Sequence, residues 1–212
     1  MKDFITIVQS VSFLNLDLLT VGITIAAIGL LGFVIYISKP RSTTNIAFLC
    51  FSAVTILWSF FNYASYQVTD PTITLWLLRI VILLGLWHSF TFFTFLFVFP
   101  YDRKKMPVWY TYGVIPWVSI ISVLTLSPYI FSGLETGAQG ATPKAIVEHG
   151  IIFFIATAFT LVIASFYFLI KRIRKVSREE RKPFILILTG ALITFALLFT
   201  FNLVLPAVFN VV

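Results

Sequence analysis

Charge is what this 212-residue chain has least of. Only 11% of its residues are Asp, Glu, Lys or Arg, against 59% hydrophobic ones, and its mean hydropathy is +1.01. A soluble domain needs a polar surface, and there is too little here to cover one. Acids are the scarcer sign, 8 against 15 basic residues. No Asp, Glu or Lys lies inside any of the long apolar runs. This argues against a proton-coupled transporter, an intramembrane aspartyl protease and a rotary proton channel, and it excludes a retinal Schiff base within these runs, since all of these need such groups at membrane depth. The single cysteine, Cys50, rules out a disulfide within the chain and reads as a small apolar packing residue. There is no His-Glu-x-x-His, no phosphate-binding Gly-Lys loop and no Cys/His ligand set. No metal or cofactor is therefore expected, and no paired acids or activated nucleophile mark an enzyme. A cleavable signal is lacking too: Asp3 follows Lys2 at once, and no small-residue cleavage site follows a short apolar core.

What remains is mostly hydrocarbon. About 20 helical residues cross a hydrocarbon core of about 30 Å, and six runs reach about that length: 18–37, 45–66, 72–99, 108–126, 151–170 and 184–205. They are too long for strands and do not alternate with period two. The expected fold is an all-α polytopic membrane bundle of six transmembrane helices. Residues 1–17, with Phe4, Ile5, Val8, Val11 and Phe13, read as an interfacial segment leading into the first span. Residues 206–212 form a short end beyond the last span.

The basic residues are not scattered. Twelve of the 15 lie in three short loops, 38–44, 101–106 and 171–182. The alternate regions, 1–17, 67–71 and 127–150, carry few bases. The positive-inside rule then places the N-terminus outside, in a multi-pass protein of the cell membrane. The net charge of +7 is an orientation signal and predicts no nucleic-acid partner. The partner it implies is the bilayer, whose anionic lipids the 171–182 segment can attract.

Ionisable groups within spans are costly and default to functional hypotheses. Arg79 and His88, both in the third run, are the two. Arg79 sits about two turns below the outer end of its span, at a depth comparable with Asn62 and Tyr66 of the second. Asp17, Asp70, Glu148, His149 and Asn202 mark the outer ends of other spans. An outer polar cluster centred on Arg79 is the expectation, read either as a site for a small anionic ligand or as a structural clamp. Trp58, Asn62 and Tyr66 form one helical stripe, and Trp76, Arg79, Leu83 and Trp87 another, and both are expected to face the bundle. The ligand-sensing set is thus Arg79, Asn62, Trp58, Asn202 and Tyr66, with the 127–150 loop as a lid. His88, with Trp87 and Thr91 beside it, reads as a helix-seam group rather than a proton sensor or metal ligand. Gly22 with Ala26, and Gly190 with Thr194, are small-xxx-small pairs suited to close helix approach. Gly113 and Pro116 interrupt the fourth run.

The order of these features resembles a known family. A first span ends in Ser38-Lys39-Pro40-Arg41. Asn45-x-x-Phe48 opens the second, which carries Trp58. Arg79 lies inside the third, closed by Phe97-Val98-Phe99-Pro100. Pro107 and Pro116 flank the start of the fourth, and Ser127-Pro128 follows it. Arg181 precedes the sixth, with Gly190 and then Asn202-x-x-Leu205-Pro206. The pattern resembles the N-terminal seven-transmembrane region of bacterial and archaeal histidine kinases. The resemblance implies a sensor input module of a two-component system, starting outside. It also implies a seventh helix leading to a cytoplasmic output domain, often a PAS domain and a kinase core, through which a homodimer would form. The chain departs from that pattern by stopping before the seventh helix, and the expectation is a truncated sensor that is not itself catalytic. The alternative is a small transport or channel subunit acting as a homo-oligomer, but few polar positions could line its path.

Overall fold

The computed structural model describes residues 2–100, 105–135 and 144–199, with side chains for 18–100, 105–135 and 145–196. Six helices account for most of them. Helix α1 spans Lys2–Ser38, α2 Thr43–Gln67, α3 Pro71–Val98, α4 Ile115–Thr125, α5 Ile151–Ile173 and α6 Arg181–Phe199. A π-helical turn, Tyr110–Val114, leads into α4, and a two-stranded hairpin, β1 (Phe131–Glu135) and β2 (Lys144–Val147), separates α4 from α5. The chain is mostly helical, as expected, and that hairpin stands where the sequence predicts a loop. Its strands lie in the polar 127–150 loop, outside any span, where backbone groups must find partners of their own.

Among the described residues four helices are long and apolar enough to cross a membrane: Leu18–Ser38, Thr43–Gln67, Pro71–Val98 and Ile151–Ile173. The fourth run, read as 108–126, is helical over 108–125, and the apolar helix Tyr110–Thr125 within it rises about 24 Å. Pro116 lacks the N–H that would continue an α-helical ladder, and the preceding turn widens, with Ile115 N donating to Tyr110 O five residues back. α6 begins at Arg181, and its described part ends at Phe199, so the stretch up to 205 lies outside the described residues. α1 runs unbroken from Lys2, so the N-terminal segment read as interfacial is continuous with the first span.

The helix starts are set by local chemistry. Ser42 caps α2, its hydroxyl accepting from Asn45 N at 3.4 Å. Asn45 Nδ2 in turn donates to Ile35 O at 2.6 Å and to Ser38 Oγ at 3.3 Å, tying the α1–α2 turn shut. Asp70 caps α3, accepting from Ile73 N at 2.9 Å, with Pro71 in the first turn, where its missing N–H costs nothing.

The chain divides into two compact units, Met1–Val162 and Ile163–Val212, with the boundary inside α5. In the first, α3 is the central helix, packing on α2, α4 and β1. Its second half is the best-buried stretch, from Ser89 to Val98 with Thr94 half-buried. There Phe48 and Phe51 of α2 meet Phe95 and Phe92, and Tyr110 stacks on Phe97 at 6.0 Å and 8°. The hydroxyls of Tyr110 and Thr94 pair at 2.7 Å, giving the phenol a polar partner inside an aromatic wall.

The close α1–α2 approach uses glycines other than those expected. A Cβ on Gly32 would lie 2.8 Å from Ser52 Cβ and Oγ, and one on Gly29 would lie 3.3 Å from Ile56 Cδ1. Neither Gly22 nor Gly190 has anything within 4 Å of such a Cβ. The short turn at 39–42 forces the two helices together at its own end, and Gly22 is nearly three helical turns away from Gly32.

In the second unit, Phe166 meets Phe195 edge-on at 5.8 Å, and Leu169, Ser165 and Phe184 are buried. Lys171 Nζ lies 5.6 Å over the Tyr167 ring, and Arg181 Nε donates to Val176 O at 3.2 Å. Part of the 171–182 charge is thus spent on closing its own turn.

Candidate functional site

Arg79 lies eight residues into α3, about 12 Å along its axis from Pro71. It is 6% exposed. Its Nη2 donates to the carbonyl of Phe131 in β1 at 2.7 Å, and its Cζ lies 5.1 Å from the centre of the Trp76 ring, one turn earlier. Its Nε is buried with no hydrogen-bond partner among the described residues. No described carboxylate pairs with it. A guanidinium removed from water needs compensation, and here a backbone carbonyl and an aromatic face supply what is described of it.

The hairpin reaches Arg79 because its base is closed. Ile130 is fully buried and Phe131 nearly so. Glu148 N donates to Ile130 O at 2.8 Å, and Gly150 N to Tyr129 O at 3.0 Å. A Cβ on Gly150 would collide with the Tyr129 carbonyl, so only glycine fits there. Ser132 Oγ donates to a Glu148 carboxylate oxygen at 2.7 Å, a cross-strand bond on the exposed side. The register slips between Phe131 and Gly133, a bulge at the strand end that meets α3.

The polar cluster expected around Arg79 therefore does not assemble as read from the sequence. Asp70 caps α3 and Glu148 is held by Ser132. Asn62 is half-buried, and its amide bonds neither Arg79 nor any other described residue. Tyr66 is 72% exposed and does not face the bundle. Trp76 is half exposed yet covers Arg79 with its ring. His149 is exposed. Asn202 and the Asp17 side chain lie outside the described residues.

Trp58 sits elsewhere, with His88. The imidazole stacks on the Trp58 ring at 5.7 Å and 26°, with Phe51 on it at 4.9 Å. Among the described residues it makes ring contacts and no hydrogen bond, and no group of three metal-ligating side chains occurs. Gly85, one turn before Ser89, leaves room for Trp58 and for Phe154 of α5, each 3.8 Å from where a Cβ would stand. Trp87 Nε1 donates to Ser122 Oγ of α4 at 3.0 Å, and Thr91 Oγ1 donates to Trp87 O at 2.8 Å. Both also line an apolar groove of about 470 Å³ with Cys50, Phe90 and Thr94. A second groove, of about 390 Å³, lies between the π-turn and α5, and there Trp117 Nε1 donates to Thr157 Oγ1 at 3.1 Å.

Phe131 is the partner of Arg79 that residue types alone do not announce. Arg79 signals the need for an acceptor at its depth, but a backbone carbonyl has no sequence signature.

A mostly helical protein with several membrane-crossing helices, a charge buried in one of them and a hairpin docked on that charge belongs to the class of multi-pass membrane proteins. The comparison with protein families narrows this. The family described as the N-terminal 7TM region of histidine kinase matches residues 20–212, and the chain belongs to it. The matched part is the membrane region of such kinases and not their catalytic part. No curated protein and no solved structure matches the chain significantly.

Proposed function

We propose that this chain is the sensory input domain of a two-component histidine kinase or a related signalling protein, with its N-terminus outside the cell. It receives a small ligand or a change in membrane state at the hairpin end and relays it by repacking of helices. The observation that carries this reading is the Arg79–Phe131 bond, which ties an extramembrane hairpin to the central helix of the bundle. A stimulus that moves the hairpin must act on α3, and α3 touches α2 and α4. A ligand shifts such an equilibrium only by its differential affinity for the two packings.

The charge distribution supports the orientation. Lys39 and Arg41 are exposed at the α1–α2 turn, whereas Asp70, Glu135 and Glu148 lie toward the hairpin end. The output domain would be cytoplasmic and would pair two copies of the parent protein.

The test is Arg79→Ala in a full-length parent kinase. A charge-assisted hydrogen bond contributes about 1.5–3 kcal/mol, enough to move a two-state balance about ten-fold or more. Basal autophosphorylation of the membrane-inserted variant is expected to change by about that factor. An unchanged level in normally inserted protein would remove Arg79 from the mechanism.

A further inference from the structure

Arg79 presents more donors than its surroundings use. A guanidinium has five N–H groups. Among the described residues one hydrogen bond is made, Nη2 to Phe131 O, and the buried Nε makes none. Arginine does not shed its proton in a protein to escape burial. The site is therefore short of negative charge, and it is filled by a neutral carbonyl that belongs to a separable element.

Nε and Nη2 point along the same edge of the guanidinium. Two parallel N–H groups at that spacing match the two oxygens of a carboxylate, the side-on form of the bidentate pair. A tetrahedral dianion would bring more charge than one guanidinium neutralises. The neighbouring surface that stays with α3 when the hairpin leaves is apolar, the Trp76 ring. We propose that the Nε/Nη2 edge of Arg79 is a binding site for a small monocarboxylate with an apolar body, which takes the place of the Phe131 carbonyl and so releases the hairpin from α3. The proposal rests on the sensor reading above and gives it a ligand class and a direction: anion bound, hairpin free.

The exchange needs no covalent step. One neutral acceptor leaves, two charge-assisted bonds form, and the orphaned Nε gains a partner. The outer rungs, Glu135 to Lys144 and Leu134 to Ala145, are kept, while the base bonds beside Phe131, Glu148 N to Ile130 O and Gly150 N to Tyr129 O, lose the support of α3 and open. The residues nearest the hinge are Tyr129 and Gly150, whose backbone bond closes the base.

The experiment uses the whole 212-residue chain in nanodiscs of zwitterionic lipid. Butanoate is titrated, with butanamide as its neutral isostere and inorganic phosphate as a second anion. Deuterium uptake is read at the amides of Glu148 and Gly150. Butanoate is expected to speed their exchange saturably, by about ten-fold, with butanamide and phosphate without effect. Arg79→Lys keeps the charge and loses the fork, so its response is expected to fall to near zero. No effect of butanoate on the wild-type chain, or an equal effect of butanamide, overturns the proposal without recourse to any variant. So does a full response in Arg79→Lys, and a response to phosphate alone overturns the carboxylate assignment. If Arg79→Ala alters signalling in the parent while butanoate leaves the hairpin closed, the ligand class fails and the sensor reading stands. If butanoate opens the hairpin but the parent's autophosphorylation ignores it, the site stands and the sensor reading fails.

Discussion

Substituting Gly32 by alanine tests whether α1 and α2 meet where the structure places them. The new Cβ would stand 2.8 Å from both Ser52 Cβ and Oγ, and 3.7 Å from Leu49 Cδ1. Carbon atoms pack best at about 3.5–4.0 Å, so the helices must part there by about 0.7–1.2 Å. Ser52 is short and buried and cannot swing its Cβ aside, so the movement falls on the backbone. Overpacking of this kind costs about 1–3 kcal/mol. Alanine also favours the helix over glycine by about 1 kcal/mol. That term is shared by Gly22→Ala, whose Cβ meets nothing within 4 Å. The difference between the two variants isolates the contact, and Gly32→Ala is expected to be the less stable by about 1–3 kcal/mol. The assay is unfolding in mixed micelles against increasing SDS, followed by far-UV circular dichroism. Combining Gly32→Ala with Ser52→Gly removes both clashing atoms, and the steric part of the loss is expected to vanish in the double-mutant cycle. A Gly32→Ala protein as stable as Gly22→Ala would refute the α1–α2 seam.

Two further outcomes bear on the hairpin and its side of the membrane. Gly150→Ala drives a Cβ into the Tyr129 carbonyl and opens the hairpin base; exchange at Glu148 N is expected to rise while global stability changes by less than about 1 kcal/mol, because local openings draw on the low-stability elements first. In a Cys50→Ala background, Glu135→Cys is expected to react with a membrane-impermeant maleimide in intact cells and Arg41→Cys only after lysis, since both native positions are exposed in the structure; the reverse pattern would invert the proposed topology.

Much of the helical frame was legible because hydropathy edges coincide with caps. The second run, read as 45–66, is Thr43–Gln67, and Ser42 stands at its start. The third, read as 72–99, is Pro71–Val98, started by Asp70. Side-chain caps are local, and local signals survive in a single sequence. The fourth run, read as 108–126, is helical over 108–125, and the interruption read at Gly113 and Pro116 is the π-turn Tyr110–Val114 that leads into Pro116. The family resemblance, carried by the order of weak features rather than by any one of them, agrees with the match over residues 20–212.

The candidate site was half legible. Arg79 stood out because a charge inside an apolar run poses a problem whatever surrounds it. The answer was sought among side chains at similar depth, Asn62 and Tyr66 on a neighbouring stripe. A helical stripe, however, has a free rotation about its axis, and α2 uses Trp58 against His88 while leaving Tyr66 exposed. The acceptor came from 52 residues away, through a backbone atom. The same physics explains why the hairpin matters. A buried cation satisfied by a carboxylate on its own bundle would be a static brace. Satisfied by a carbonyl on the hairpin, with a donor left over, it gives the proposed ligand its point of attack. Under that proposal the bond that docks the hairpin on α3 is also the bond that a competing anion would break.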